Sequence, residues 1–286
     1  MTGSGAAPGP ASEIERLTAE VERLTGQIGD LRETRDGLLQ RLEHELAVAR
    51  RIQLNLMPRT LPRPDGWSVA TAYRPAREVG GDFYDAYELP GRPGRIGFVV
   101  ADVTGKGVTA ALMMAFTRAV LRSAAYNGDG PADALMRTNR VLVNDARTGL
   151  FVTAFIGELE VATGRVRYAS AGHEPPFVVR EKGHAVAELE LPSAVLLGAF
   201  ADFEAVEASV VLEPGDLLVA YTDGVTDACD ASGTRFGDER LRDVLATVAP
   251  GAAERAVADL LGAIDAFAGD TPGADDVTLL VVGRKG

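Results

Sequence analysis

Four short segments of this sequence each place an aspartate beside an apolar run and near glycine or another small residue. Three of them contain Asp82, Asp102 and Asp223, and the fourth is Asp275-Asp276 directly before the last apolar run. Carboxylate oxygens are the ligands that Mg²⁺ and Mn²⁺ prefer, and several gathered carboxylates would repel one another without a cation. One Asp-Gly pair predicts only a turn. The number of such segments therefore predicts a site for hard metal ions.

The elements that position these acids follow from the hydrophobic pattern. Alternating or apolar runs bounded by turn residues predict strands at about 67–74, 81–89, 95–101, 151–161, 165–171, 175–180, 206–211, 216–222 and 277–283. Helical patterns occupy about 107–126, 131–146, 238–248 and 251–268. Because the helices come in blocks and many strand connections are short, the pattern favours an α+β fold with antiparallel sheets over a βαβ array.

The N-terminal segment carries a heptad pattern. Its apolar seam has β-branched residues at a and leucine at d: Ile14, Leu17, Val21, Leu24, Ile28 and Leu31. This arrangement is typical of a parallel two-stranded coiled coil and hence of a homodimer, although Arg35 at a and Glu45 at d interrupt it. A single amphipathic helix packed on its own domain is the alternative.

Proline residues and composition predict the domain boundaries. Pro58, Pro62 and Pro64 end the long helix because proline lacks the backbone donor and clashes with the preceding turn. We expect a flexible tail at 1–12, a coiled-coil and linker helix at 13–57, and a catalytic domain at 58–286.

Composition narrows the range of partners. The 286 residues include 41 acidic and 29 basic side chains, a formal charge of −12 that argues against binding to nucleic acid or to an anionic membrane. One cysteine cannot form an internal disulfide. One cysteine and three histidines are also too few to predict a structural zinc site of the Cys/His type. The N-terminus lacks the basic and apolar regions of a signal peptide, and the most apolar stretch, 108–121, contains Arg118 and is too short to span a bilayer. We expect a cytoplasmic protein.

Five motifs resemble those of a known family. They are GGDFYD (80–85), DVTGKGVTAAL (102–112), AGHEPP (171–176), LEPGDLLVAYTDGVTDA (212–228) and DDVTLLVV (275–282). Together they resemble the PP2C-type serine/threonine phosphatases of the bacterial SpoIIE/RsbU branch, over about residues 52–283. The stretch from Ala47 to Pro58 is similar to the helical linker that precedes the catalytic domain in that branch.

The resemblance implies a PP2C-like αββα sandwich, in which two antiparallel sheets flanked by helices carry two Mn²⁺ or Mg²⁺ ions at one edge. By that resemblance Asp102 bridges both ions and the backbone carbonyl of Val103 binds one. Asp223 and Asp275 match the carboxylates on the second ion, and Asp82 matches an acid that orients a metal-bound water.

The implied chemistry is direct attack on phosphorus by a metal-activated hydroxide, with no phosphoenzyme. Asp82, Asp102 and Asp223 are the catalytic candidates. Asp276 stands where many relatives carry asparagine, so the resemblance leaves open whether Asp275 or Asp276 is the ligand.

Two positions bear on the handling of phosphate. Eukaryotic relatives have a histidine two residues after the bridging aspartate as a general acid, and this chain has Thr104 there. Arg77, five residues before Asp82, matches a phosphate-binding arginine of the wider family, and a solvated surface arginine is the alternative interpretation.

Other motifs carry weaker signals. Cys229 and Arg235 have the spacing of a thiol phosphatase, but acidic neighbours would raise the pKa of the thiol and repel phosphate. Residues 105–107 (Gly-Lys-Gly) lack the rest of a P-loop. Residues 80–83 (Gly-Gly-Asp-Phe) resemble a diguanylate cyclase signature, a fold with no place for the later acid motifs. We interpret His173 as a structural residue rather than a proton donor.

By resemblance, the substrate is a phosphoserine or phosphothreonine on a STAS-domain anti-anti-sigma factor, so that dephosphorylation releases a sigma factor in a stress or developmental response. The competing hypothesis is a catalytically weak dimeric scaffold that binds a phosphoprotein. The linker near residues 45–60 leads directly into the catalytic domain, so the N-terminal coil is also a candidate for control of turnover.

Overall fold

The computed structural model describes residues 10–146, 149–181, 185–192 and 195–286, without the side chains of 10–13 and 146. These residues fall into two compact units, one ending at Val48 and the other running from Ala49 to Gly286. Most of the predicted tail, residues 1–9, lies outside the described residues, and the predicted boundary at 57/58 remains a prediction.

Helix α1 runs without interruption from Pro10 to Leu56, which confirms the predicted N-terminal helix. Its apolar seam is exposed in the single chain: Ile14 is 64% exposed, Leu24 44% and Leu31 69%. Exposed apolar side chains at heptad spacing are what a coiled-coil partner would cover. The pairing itself remains a prediction.

Ten strands form two five-stranded antiparallel sheets within the described residues. The first sheet has the order β1-β10-β9-β6-β7, with β1 at Trp67–Arg74, β6 at Phe177–Val179, β7 at Val186–Glu188, β9 at Leu217–Tyr221 and β10 at Val277–Arg284. The second has the order β2-β3-β4-β5-β8, with β2 at Phe83–Glu88, β3 at Arg95–Val103, β4 at Val152–Glu160, β5 at Arg165–Ala171 and β8 at Ala208–Val211.

Helices cover the outer face of each sheet. Helices α2 (Val108–Asn127) and α3 (Pro131–Val141), the latter extended by a π-helical segment at Leu142–Ala146, pack on the second sheet. Helices α4 (Gly237–Leu245) and α5 (Ala253–Ala268) pack on the first. A third apolar cluster, which includes Phe98, Phe155 and Leu280, fills the space between the sheets. The predicted αββα sandwich is confirmed.

Every predicted strand corresponds to an observed one, and among the strands of the described residues the sequence missed β7, whose three residues are too few for a periodic pattern. Helix α2 is the one described helix whose length and composition would allow a membrane span. It packs on the second sheet, and its Arg118, which is 12% exposed at its side chain, lies 2.9 Å from the buried carboxylate of Asp85 on β2.

Candidate metal centre

The second sheet brings two of the predicted acids together. Phe83 at the start of β2 pairs with Ala101 near the end of β3. The residues just beyond that pair are Asp82 and Asp102, so antiparallel register alone places them side by side. Two acids that are distant in the sequence thus meet at one edge of the sheet.

The first sheet ends at the same edge with two threonines. Tyr221 on β9 pairs with Leu279 on β10, so Thr222 and Thr278 are the next facing pair. The backbone amide of Thr222 donates to the carbonyl of Thr278 at 3.1 Å. Asp223 follows Thr222, and Asp275-Asp276 precede β10, so this edge carries the remaining acids.

Asp82 joins the two sheets. Its Oδ2 accepts hydrogen bonds from the hydroxyls of Thr222 at 2.6 Å and Thr278 at 2.7 Å. Asp82 is 2% exposed and both threonines are fully buried. Because the donors are rigid strand residues, this carboxyl has a fixed position.

The neighbouring carboxyl groups of Asp82 and Asp102 influence each other's pKa. Burial raises the pKa of Asp82 well above its usual range, with the charge of Asp102 as the next cause. Burial also raises the pKa of Asp102 to about 6, and the charges of Asp223, Asp275 and Asp276 act in the same direction. The pKa of both carboxyls is thus raised where negative charge is concentrated, and a cation would relieve the repulsion between them.

Asp223 and Asp275 complete the acidic edge. Burial raises the pKa of Asp223, and the nearby charge of Asp275 raises it further. The ammonium of Lys106 lies 2.9 Å from Oδ2 of Asp275 and donates to the carbonyl of Ala274 at 2.8 Å. Within the described ranges, no three acidic, histidine or cysteine side chains already stand close enough together to surround an ion.

Asp276 has a different environment from Asp275. Its Oδ1 accepts from the amide of Ala76 at 2.8 Å, and its Oδ2 accepts from the amides of Gly81 at 2.8 Å and Asp82 at 3.4 Å. Asp276 is 6% exposed. Both of its oxygens are engaged by the loop that leads into β2.

The backbone carbonyl of Val103 faces the same loop. A Cβ added to Gly81 would lie 2.7 Å from this oxygen, closer than carbon and oxygen can approach. Gly81 therefore lets the loop pass directly over the carbonyl that the sequence predicts as a metal ligand.

The two phosphate-handling positions differ in their surroundings. Thr104 both donates its hydroxyl to the carbonyl of Phe151 at 3.1 Å and accepts from the amide of Phe151 at 2.9 Å, so the backbone holds this hydroxyl. Arg77 is exposed beside a small cavity that Lys106 and Asp275 also line. Its role in binding phosphate stays a prediction.

His173 lies behind the acidic edge. Its Nδ1 is 2.8 Å from the hydroxyl of Thr153, which pairs with Asp102 across β3 and β4. Burial lowers the pKa of His173 to about 4. A neutral, buried imidazole supports the structural interpretation of this residue.

The thiol-phosphatase spacing has a local structural explanation. Cys229 and Arg235 form an isolated antiparallel bridge around a tight turn, and the guanidinium of Arg235 lies 2.7 Å from Oδ1 of Asp227. The arginine is therefore paired with a carboxylate rather than placed around the thiol.

Several polar contacts at this edge were not predicted from the sequence. They involve Thr222, Thr278, Lys106, Glu174 and Gln53. A signal did exist for the threonines, since Thr222 stands between an apolar strand and Asp223, and Thr278 lies two residues after Asp276 near the start of an apolar strand. The other residues contact the site through pairings that only the tertiary structure reveals.

The donor set suits a hard divalent cation. The available groups at this edge are the carboxylates of Asp82, Asp102, Asp223 and Asp275 and the carbonyl of Val103, all oxygen donors. The raised pKa values of Asp82 and Asp102, to which neighbouring acid charges contribute, indicate that negative charge is in excess there. The residues present therefore fit Mg²⁺ or Mn²⁺.

The layered architecture with acids at one sheet edge is that of the PP2C-type fold. The SiaA PP2C domain of Pseudomonas aeruginosa matches it with a TM-score of 0.74 and 24% identity, over 87% of this chain and 98% of that one. The family model of Stage II sporulation protein E (SpoIIE) matches residues 92–285. The chain belongs to the SpoIIE family, as its motifs predicted.

Two curated relatives extend this result. Protein IcfG of Synechocystis is 31% identical over 283 residues, covering 88% of this chain and 43% of the relative. The phosphoserine phosphatase RsbU of Bacillus subtilis is 30% identical over 201 residues, covering 70% of this chain and 59% of the relative. The chain thus spans about half the length of the curated relatives it matches.

Proposed function

We propose that this protein is a metal-dependent phosphatase that hydrolyses phosphoserine or phosphothreonine in a cytoplasmic protein partner. The observation that carries the proposal is the convergence of oxygen donors from both sheets at one edge, where Asp82 beside the second sheet accepts hydrogen bonds from Thr222 and Thr278 of the first. Membership of the SpoIIE family and the similarity to RsbU, which is named a phosphoserine phosphatase, support the choice of reaction.

The chain's own residues would bind and orient the ions. Asp102 and the Val103 carbonyl lie at the end of β3, Asp223 follows β9, and Asp82 is fixed by two hydroxyls. Two Mn²⁺ or Mg²⁺ ions would supply an activated water as nucleophile and would neutralise the phosphoryl oxygens. Thr104 is held by the backbone of Phe151, so the proton for the leaving serine oxygen comes from elsewhere than this side chain.

We infer that Asp275, rather than Asp276, is the ligand of the pair. Asp276 already uses both oxygens to accept backbone amides, and releasing them would dismantle the loop before β2. Among the described residues Asp275 contacts Lys106 and the amide of Asp276, and its side chain is 37% exposed. A half-exposed carboxylate with a half-exposed counter-ion can turn to a metal at low cost.

The substrate and the assembly state follow from the family resemblance and from α1. We propose a phosphorylated STAS-domain protein as substrate, in the control of a sigma factor during a stress response. We also propose a homodimer through the exposed heptad seam of α1, which includes Leu17 and Leu24.

Manganese-dependent hydrolysis of p-nitrophenyl phosphate tests the reaction. Asp102→Asn should abolish turnover, whereas Asp202→Asn, at an exposed loop position, should leave it unchanged. A panel of serine-phosphorylated STAS domains, compared with peptides of the same phosphosites, then tests the substrate. Intact domains should be preferred in kcat/KM by about tenfold or more, because a folded surface adds contacts that a short peptide lacks.

The results separate the two candidate functions. Turnover with Mn²⁺ that disappears in Asp102→Asn supports the phosphatase. Binding of a phosphorylated STAS domain with no turnover at saturating Mn²⁺ or Mg²⁺ would refute it and would favour the dimeric scaffold.

A further inference from the structure

We propose that Gln53, on the last turns of α1, is a positioning residue for the metal centre. Its side-chain amide holds the peptide of Gly80, and the Gly80–Asp82 loop in turn places Asp82 and covers the Val103 carbonyl. The inference rests on the proposed metal-dependent function, whereas the contacts between Gln53 and Gly80 are observed independently of that function.

The contact is made by both atoms of one amide. Nε2 of Gln53 donates to the carbonyl of Gly80 at 2.6 Å, and Oε1 of Gln53 accepts from the amide of Gly80 at 3.1 Å. A side-chain amide that pairs with both groups of one peptide fixes its position and its orientation. Only an amide supplies a donor and an acceptor at this spacing.

The burial pattern of the helix end singles out this side chain. Between residues 50 and 56 Gln53 alone is buried, at 4% exposure, and its neighbours Ile52 and Leu54 are 57% and 45% exposed. A buried polar group costs free energy unless its hydrogen bonds are made. The helix therefore buries a glutamine, and leaves apolar side chains exposed, at the point where it meets the loop.

Gly80 fits a narrow slot. A Cβ on Gly80 would collide with the carboxylate of Asp276 and would lie 2.6 Å from the hydroxyl of Tyr73. Asp276 holds the next amide, that of Gly81, from the opposite side. Gln53 and Asp276 thus form hydrogen bonds with consecutive residues, Gly80 and Gly81, of the loop that ends at Asp82.

The loop has no other side-chain amide to hold the Gly80 peptide among the described contacts, so losing Gln53 should loosen it. Groups that orient metal ligands typically contribute about 10–100-fold to metal affinity or activity. Loss of the amide should therefore weaken metal binding without changing the groups that bind phosphate.

Gln53→Met tests this, because methionine keeps the length and helix propensity of glutamine and removes both hydrogen bonds. Gln40→Met is the matched control, since Gln40 is an exposed position of the same helix, outside the apolar seam. Gln53→Asn keeps the amide but is one methylene shorter, so it should give an intermediate result.

Two measurements are made on the full chain. Hydrogen exchange of the Gly80 amide in the presence of chelator reports loop order with no metal and no substrate. It should be about tenfold faster in Gln53→Met, as expected for the loss of one hydrogen bond. Free Mn²⁺ measured by electron paramagnetic resonance should show about tenfold weaker binding. At saturating Mn²⁺ the KM for p-nitrophenyl phosphate should stay within about twofold, because the metal sites are then filled, and kcat at subsaturating Mn²⁺ should fall.

Wild-type exchange at Gly80 together with wild-type Mn²⁺ binding in Gln53→Met would overturn the proposal. If Gln53→Met loses cooperative unfolding, Gln53→Asn decides by the same two measurements, and unchanged values there overturn it equally. A wild-type chain that binds Mn²⁺ but hydrolyses no phosphate would refute the proposed function and leave the positioning role of Gln53 supported by exchange and binding.

Discussion

Replacing each member of the Asp275-Asp276 pair by asparagine should separate a metal ligand from a structural carboxylate. Asp276 accepts from the amides of Ala76, Gly81 and Asp82. In Asp276→Asn, one side of the group becomes an NH₂ that faces an amide donor. At least one charge-assisted hydrogen bond is lost and one buried N–H is left without a partner.

The expected size follows from these contacts. Losing a hydrogen bond to a charged group and leaving a buried donor unpaired should cost about 2–4 kcal/mol. For a domain the size of residues 49–286, this lowers the Tm by roughly 4–16 °C. Asp275→Asn removes a half-exposed ion pair with Lys106, worth less than about 1 kcal/mol, and the asparagine oxygen can still accept from the amide of Asp276, so its Tm should change by a few degrees at most. Its Mn²⁺-supported turnover should fall by about 10²-fold or more.

Thermal unfolding in chelator gives the Tm of each variant, and p-nitrophenyl phosphate hydrolysis across a Mn²⁺ titration gives its metal-supported turnover. Asp259→Asn is the matched control, since Asp259 forms an exposed ion pair with Arg255 on α5. The reasoning is refuted if Asp276→Asn keeps its Tm and loses Mn²⁺ binding while Asp275→Asn remains active. That result would make Asp276 the ligand.

Three further outcomes test other parts of the structure. Gly81→Ala should destabilise the protein by about 1–3 kcal/mol and weaken Mn²⁺ binding, because its Cβ would overlap the Val103 carbonyl; an unchanged Tm and Mn²⁺ titration would contradict this. The pKa of His173 is about 4 in the folded protein and 6.5 in the unfolded chain, so between pH 6.5 and pH 4 the unfolded chain binds a proton that the folded protein does not. The free energy of unfolding should therefore fall by up to about 3 kcal/mol as the pH drops from 6.5 to 4. Urea unfolding in chelator at pH 7 and pH 4.5 should show this loss in the wild type and a smaller one in His173→Gln; equal losses would rule out the burial argument. Finally, a chain starting at Ala49 should be monomeric by light scattering and should retain Mn²⁺ binding. A chain starting at Leu61 should bind Mn²⁺ more weakly, because it lacks Gln53. A dimeric Ala49 chain would contradict dimerisation through the heptad seam of α1.

The sequence predicted the sheets and the acidic edge because both depend on local signals. Short, nearly continuous apolar runs bounded by turn residues define β3, β9 and β10, and an aspartate next to the end of such a run must lie at the edge of the sheet. The helix bounds of α1 were predictable for the same reason.

Contacts between distant segments were not predictable. Nothing near Asp82 in the chain indicates that its carboxyl accepts from Thr222 and Thr278, since that depends on how the two sheets pack. The division of roles between Asp275 and Asp276 depends on a loop 194–200 residues away. The burial of Gln53 rather than Ile52 depends on which face of α1 meets that loop.

The position of β10 has a consequence for synthesis of the protein. This strand, made last among the ten, lies between β1 and β9, and its Thr278 holds a carboxyl 196 residues earlier in the chain. Until the ribosome has released residues 275–284, β1 has no neighbour in its sheet and Asp82 lacks one of its two donors. A nascent chain that has been made only as far as β9 therefore carries an incomplete acidic edge, and this edge forms only when β10 pairs with β1 and β9.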